Sequence, residues 1–207
     1  MRQTAPIFAD MSQAYDSFDW QTSRSMMDIS QSTPFEFDKS AFENSNSDEY
    51  DEYTNGNVYD YTVQRLDGQE VCLREYAGQV LIIVNYASTC GFTYDNVCNL
   101  SELSEKYGRR GLTILMFPSN DFFQNIGGNT AAEILAQSHP EFEVFSQICV
   151  NGKDTHPFYR FLKNKLPGAF KSKDGCPVKR YSANDSFQDI EEFIQQLLMD
   201  QSCKCDD

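Results

Sequence analysis

The residues of this chain best suited to chemistry are its cysteines. There are seven: Cys72, Cys90, Cys98, Cys149, Cys176, Cys203 and Cys205. An odd number at irregular spacing does not make a disulfide framework. No C-x-x-C pair occurs and only two histidines are present, so no structural zinc site is expected. Cys72 and Cys149 fall on strand-like stretches and Cys98 on a helical one, where packing is the simpler role. Cys203 and Cys205 read as free thiols of a tail. Cys90 stands apart, because it follows a buried apolar run and precedes a helical pattern. Reactive groups collect where a parallel strand ends and a helix begins. The helix N-terminus offers partial positive charge and unpaired N–H groups, and such a setting raises the thiolate fraction of a thiol. A thiolate can attack the O–O bond of a peroxide and become a sulfenic acid.

The elements that must position Cys90 are legible in the pattern. Val80-Leu81-Ile82-Ile83-Val84-Asn85-Tyr86 is a continuous apolar run, as in a strand buried on both faces. Asp95 or Asn96 can cap a helix whose Val97, Leu100, Leu103 and Tyr107 share one face, and Gly111 ends it. Leu112 to Phe117 is a second buried strand, so strand, helix and strand suit a parallel βαβ unit. Ahead of them, Tyr61-Thr62-Val63 and Val71-Cys72-Leu73 flank Asp67-Gly68, a hairpin signal. Further on, a helix starts near His156-Pro157. A turn follows at Asp174-Gly175, and an antiparallel strand at Val178 to Tyr181. The last helix is capped by Ser186 and carries the stripe Phe187, Ile190, Phe193, Ile194, Leu197, Leu198. This order predicts an α/β, thioredoxin-like fold, with a mixed central sheet flanked by helices.

The chain has 207 residues, 40% hydrophobic and 23% charged, enough for one domain and an extra segment. Its net charge of −14 argues against nucleic acid as a partner, since the field repels phosphate. The lysines at 163 and 165 and the cluster Lys171, Lys173, Lys179, Arg180 read as solvated surface. No apolar run reaches the roughly 20 residues that span a bilayer. Asp10, Asp16 and Asp19 interrupt any apolar leader, so a cytoplasmic, reducing compartment is expected. Residues 1–57 hold eleven acidic residues against Arg2, Arg24 and Lys39. Such a composition buries too little apolar surface to offset its ordering entropy, so a disordered extension is expected there. The domain is expected over 58–199, with a flexible tail at 200–207.

Two stretches resemble the signatures of glutathione peroxidases. Val84-Asn85-Tyr86-Ala87-Ser88-Thr89-Cys90-Gly91-Phe92-Thr93 is similar to the segment around that family's active-site selenocysteine or cysteine. Phe117-Pro118-Ser119-Asn120-Asp121-Phe122 is similar to its second signature. Phe145 to Gly152 with His156-Pro157, and Asp174 to Tyr181, resemble the phospholipid-hydroperoxide branch. The resemblance covers about residues 58–198. It implies a thioredoxin fold, Cys90 as the peroxidatic residue, and reduction of hydrogen peroxide and organic or lipid hydroperoxides. It further implies regeneration by glutathione or thioredoxin, with no bound cofactor and no metal.

The chain also departs from that family. A Gln that supports the peroxidatic residue corresponds to Asn125 on an ungapped count from Cys90, or to Gln124 after a shift of one. The supporting Trp-Asn pair, which begins a strand just before the Asp174-Gly175 turn, is missing. The only tryptophan is Trp20. Val178 to Tyr181 is thereby left without its hairpin partner, and a shortened sheet is expected near the C-terminus. No cysteine lies between Cys98 and Cys149, so an external thiol is the simpler resolving group. In the family it resembles, the lack of a long loop before the last strand implies a monomer. Two functions remain open: a thiol peroxidase acting through Cys90, and a weak or inactive relative serving as redox sensor or interaction module.

Overall fold

The computed structural model describes residues 6–9, 56–166, 175–182 and 185–202. The rest of the acidic extension, residues 167–174 with their lysines, and the cysteines at 203 and 205 lie outside the described residues.

Strand β1 is Pro6–Ala9, and the hairpin strands are β2 (Thr62–Gln64) and β3 (Glu70–Cys72). The hairpin turns at Asp67-Gly68 as expected. Arg65 N–H donates to the Gln69 carbonyl at 2.8 Å, and Gln69 N–H to the Asp67 carboxylate at 2.9 Å. Strand β4 (Val80–Tyr86) is buried at all seven positions. Successive side chains of a strand point to opposite faces, and β4 divides the core accordingly. Val80, Ile82, Val84 and Tyr86 pack with helices α1 (Thr93–Tyr107) and α4 (Phe187–Ser202). Leu81 and Ile83 pack with the hairpin and with Phe158, Tyr159, Phe161 and Leu162 of α3 (Pro157–Lys165).

Strand β5 (Leu112–Pro118) pairs parallel with β4 over its full length, from Val80 opposite Leu112 to Tyr86 opposite Pro118. The expected βαβ unit is therefore present. Its helix starts at Thr93, ahead of the cap expected at Asp95 or Asn96. The Thr93 hydroxyl donates to the Ala87 carbonyl at 2.6 Å, which ties the first turn to the strand end and lets the helix begin early. Helix α2 (Asn129–Ser138) and strand β6 (Glu143–Val144) follow. Pattern reading missed α2, because only Ala132 and Leu135 of it are buried. Arg65 and Tyr76 both donate to Glu143, at 3.0 and 3.2 Å, and fasten the hairpin to β6. Burial, and then the Glu143 charge, push the Tyr76 phenol up to about 12.

Pro157 opens α3 as expected, and His156 caps it, its Nδ1 accepting from Phe158 N–H at 3.2 Å. Helix α4 starts directly after Ser186, and Ile190, Ile194 and Leu198 of its predicted stripe are buried. Strand β7 (Lys179–Tyr181) precedes it.

The sheet corrects two expectations. Its order is β6-β5-β4-β1-β7, and every described pairing within it is parallel. β7 was expected to be antiparallel, in a mixed sheet. It instead pairs parallel with β1, which occupies the lane beside β4. The reason is direction of entry: β1 comes in from the same end as β4, whereas a returning hairpin strand would run the other way. Antiparallel pairing among the described residues is confined to the β2–β3 hairpin and an Arg65–Phe145 bridge.

Candidate active site

Strand β4 ends at Tyr86 and α1 begins at Thr93, so Cys90 sits on the short connection between them. That connection is a tight turn. Cys90 N–H donates to the Ala87 carbonyl at 3.3 Å, and Thr93 N–H donates to the Cys90 carbonyl at 3.0 Å. Ser119 N–H donates to the Tyr86 carbonyl at 2.8 Å, so the ends of β4 and β5 open side by side. The Cys90 residue is partly exposed.

A second loop, after β5, clasps the first. Thr89 N–H and the Thr89 hydroxyl both donate to the Gln124 carbonyl, at 2.8 and 2.7 Å. Ser88 N–H donates to Asn125 Oδ1 at 3.3 Å, and the Ser88 hydroxyl donates to the Ile126 carbonyl at 3.1 Å. Asn125 Nδ2 donates onward to Gln147 Oε1 at 2.9 Å, and Asn125 N–H donates to Asn120 Oδ1 at 3.0 Å. The structure thus brings the segments of Cys90, Gln124 and Asn125 together. The two amides serve differently. Asn125 is buried, with its side chain engaged at both ends, while half-buried Gln124 holds Thr89 through its main chain.

Ser88, Thr89, Thr93 and Gln147 are parts of this site that the sequence reading did not single out. Ser88 and Thr89 carried a local signal, being donors directly before Cys90. Gln147 carried none, since it reaches Asn125 only through the fold. Four large apolar side chains stand exposed on the two loops and the first turn of α1: Phe92, Tyr94, Phe123 and Ile126. Phe123 is 88% exposed and holds a positive φ of 57°, a conformation that non-glycine residues seldom adopt.

The other cysteines are less buried than expected. Cys72, Cys98 and Cys149 are exposed rather than packed, because the first two lie on outward positions of β3 and α1 and the third on a loop. The Cys149 thiol is pushed up by desolvation, and then by the charges of Asp121 and Asp154. Asp121 is itself fixed by Val150 and Asn151 N–H groups, each at 2.6 Å. No helix among the described residues is long and apolar enough to cross a membrane.

A buried parallel strand that turns into a helix, with a thiol on the turn, places this chain among thioredoxin-like α/β proteins. Comparison with known proteins narrows the class. The glutathione peroxidase family model matches residues 58–163. The phospholipid hydroperoxide glutathione peroxidase 1, chloroplastic, of Arabidopsis thaliana is 41% identical over 156 residues, 68% of this chain and 66% of that protein. The glutathione peroxidase of Lactococcus lactis subsp. cremoris is 36% identical over 157 residues, 69% of this chain and 99% of that protein. The solved structure of T. cruzi GPX1 superposes with a TM-score of 0.55 at 31% identity, covering 70% of this chain and 97% of that one. The chain belongs to the glutathione peroxidase family.

Proposed function

We propose that this chain is a thiol peroxidase that reduces hydroperoxides with Cys90 as its nucleophile. The observation that supports this best is the seat of Cys90, on the β4–α1 turn and clasped through Ser88 and Thr89 by the 124–126 segment. The Cys90 sulfur attacks one peroxide oxygen, forming an S–O bond as the O–O bond breaks. The departing oxygen takes a proton and leaves as alcohol or water, and the sulfur, oxidised by two electrons, becomes a sulfenic acid. A first external thiol condenses with it, releasing water and leaving a mixed disulfide. A second thiol frees Cys90 and departs in a disulfide. Glutathione or thioredoxin supplies these thiols, and no bound cofactor is needed. Asn125 and Gln124 hold the turn against the loop and keep the sulfur's approach open. The exposed apolar rim of Phe92, Tyr94, Phe123 and Ile126 suits organic or lipid hydroperoxides, whose chains can rest on it. The acting unit is read as a monomer in a reducing, cytoplasmic setting.

One observation favours a second reading, a weak enzyme or redox sensor. The family's Trp-Asn donors are missing, and the sole tryptophan, Trp20, lies outside the matched residues. Loss of one charge-stabilising donor typically costs about 10²–10³-fold in kcat. The deciding assay follows hydroperoxide-dependent oxidation of glutathione and of thioredoxin by wild type and Cys90→Ser. Turnover that vanishes in the variant is the expected result, and equal rates would overturn the proposal. A single stoichiometric oxidation of Cys90 without turnover would select the sensor.

A further inference from the structure

The lane between β4 and β7 is filled from an unexpected place. Pro6, Ile7, Phe8 and Ala9 stand opposite Leu81, Ile82, Ile83 and Val84 on one side. On the other side Ile7, Phe8 and Ala9 stand opposite Lys179, Arg180 and Tyr181. In the order β6-β5-β4-β1-β7, β1 is what joins β7 to the rest of the sheet.

Three features make this lane demanding. First, Val80 to Val84 are all within 1% of complete burial. A strand buried on both faces has no water for an unpaired backbone edge, so it needs a neighbour on each side. Second, Tyr181 of β7 is buried in the same cluster as Ile190, Ile194 and Leu198 of α4. The placing of the last helix therefore depends on β7 having a partner. Third, residues 6–9 suit the role. Pro-Ile-Phe-Ala carries no charge and lies between Arg2 and Asp10. Its proline stands at the first strand position, where a missing N–H does least harm. Isoleucine and phenylalanine are strong strand formers.

We propose that the lane between β4 and β7 is a strand-acceptor site and that residues 6–9 of the same chain are its ligand. Recognition is by strand addition: main-chain hydrogen bonds on both edges supply affinity. Because pairing is parallel, Ala9 lies level with Val84 and Tyr181, at the end of the sheet that carries the Cys90 turn. The N-terminal segment is thus a working part of the domain, and it docks beside the site rather than away from it. The proposal rests on the sheet and is independent of the chemistry assigned to Cys90.

Two experiments on the full chain test it. In the first, Ile7→Cys is combined with Lys179→Cys, two register partners of which position 179 is exposed. Cα atoms of neighbouring strands lie within disulfide reach. Mild oxidation followed by peptide mass mapping is expected to find a 7–179 disulfide within one chain. Its absence, or a 7–179 bond between two chains, would overturn the proposal. In the second, Phe8→Pro removes a donor from the middle of the lane. Hydrogen exchange is expected to quicken roughly tenfold or more at the amides of 179–181, while those of 112–117 keep their protection. Unchanged protection at 179–181 would overturn it. If protection falls everywhere the variant has unfolded, and the cross-link decides.

Discussion

The two neighbours of β4 were recruited in opposite ways. On one edge β5 pairs over seven residues and is reached by the α1 crossover, close in sequence. On the other edge β1 pairs over four residues and comes from the far N-terminus. The β5 edge is made of local chain with an aromatic core beneath it: Phe117 stacks on Phe145 at 4.8 Å and meets Tyr159 edge-on at 5.8 Å. The β1 edge joins two segments far apart in the chain. Cys90, the proposed nucleophile, lies on the turn that leads from β4 into the α1 crossover, and so belongs with the first edge.

Substitutions can sharpen or break this contrast. The largest effect is expected at the β5 edge. Phe117→Ala empties a fully buried site and should cost about 3–5 kcal/mol, read from chemical denaturation. A loss below that of the changes that follow would show that the β5 edge does not dominate stability. At the β1–β7 side, Gly175→Ala is expected to cost about 1–3 kcal/mol. Gly175 has φ of +78°, and a Cβ there would meet Asn57 and the Tyr59 ring at 2.9 Å. Its carbonyl also accepts from Val58 N–H at 2.8 Å, so the turn before β7 leans on the start of the matched domain. An unchanged denaturation midpoint would contradict this contact.

Within the clasp around Cys90, Asn125→Ala should cost about 1–3 kcal/mol, because it leaves the Ser88 N–H without its acceptor. Gln124→Ala keeps the carbonyl that holds Thr89, so its thermal loss should be the smaller of the two. The reverse order would mean that the Gln124 side chain, rather than its main chain, holds the turn.

The smallest effect concerns pH at α3. Burial depresses the His156 pKa below 6.5, and its Nδ1 must stay unprotonated to cap Phe158 N–H. Below that value the unfolded chain takes up a proton more readily than the native one. Stability from this group is therefore complete above pH 6.5 and is lost as pH falls towards the folded value. Melting temperatures recorded from about pH 7.5 down to about pH 5 should drop. The drop should be shallower in His156→Asn, since Asn can still cap the helix. Parallel profiles for the two proteins would remove His156 as the cause.

Much of the scaffold was readable from residue types. The run Val80 to Tyr86, the stripe on α1, the Asp67-Gly68 turn and the Pro157 helix start all encode local structure with short-range periods. Burial on both faces of β4 follows from its unbroken hydrophobicity. Cys90 was legible for the same reason, since a strand end and a helix start are neighbours in sequence. Ser88 and Thr89 stood in view as well, but their partners did not, because the carbonyls of Gln124 and Ile126 carry no side-chain signature.

What sequence alone determined is thus the set of elements and the place of the thiol, both written in contacts a few residues apart. The tertiary structure alone decided which backbone lies beside β4 on its second edge. Pro6 to Ala9 is too short to carry a period, and its surroundings are acidic. Only an unpaired, fully buried strand edge gives such a segment a reason to become a strand. The same holds for Asn125, whose two side-chain hydrogen bonds exist only once the loops after β4, β5 and β6 meet. Pairing across long stretches of chain is set by geometry and by backbone groups common to all residues, and these leave no mark in the order of side chains.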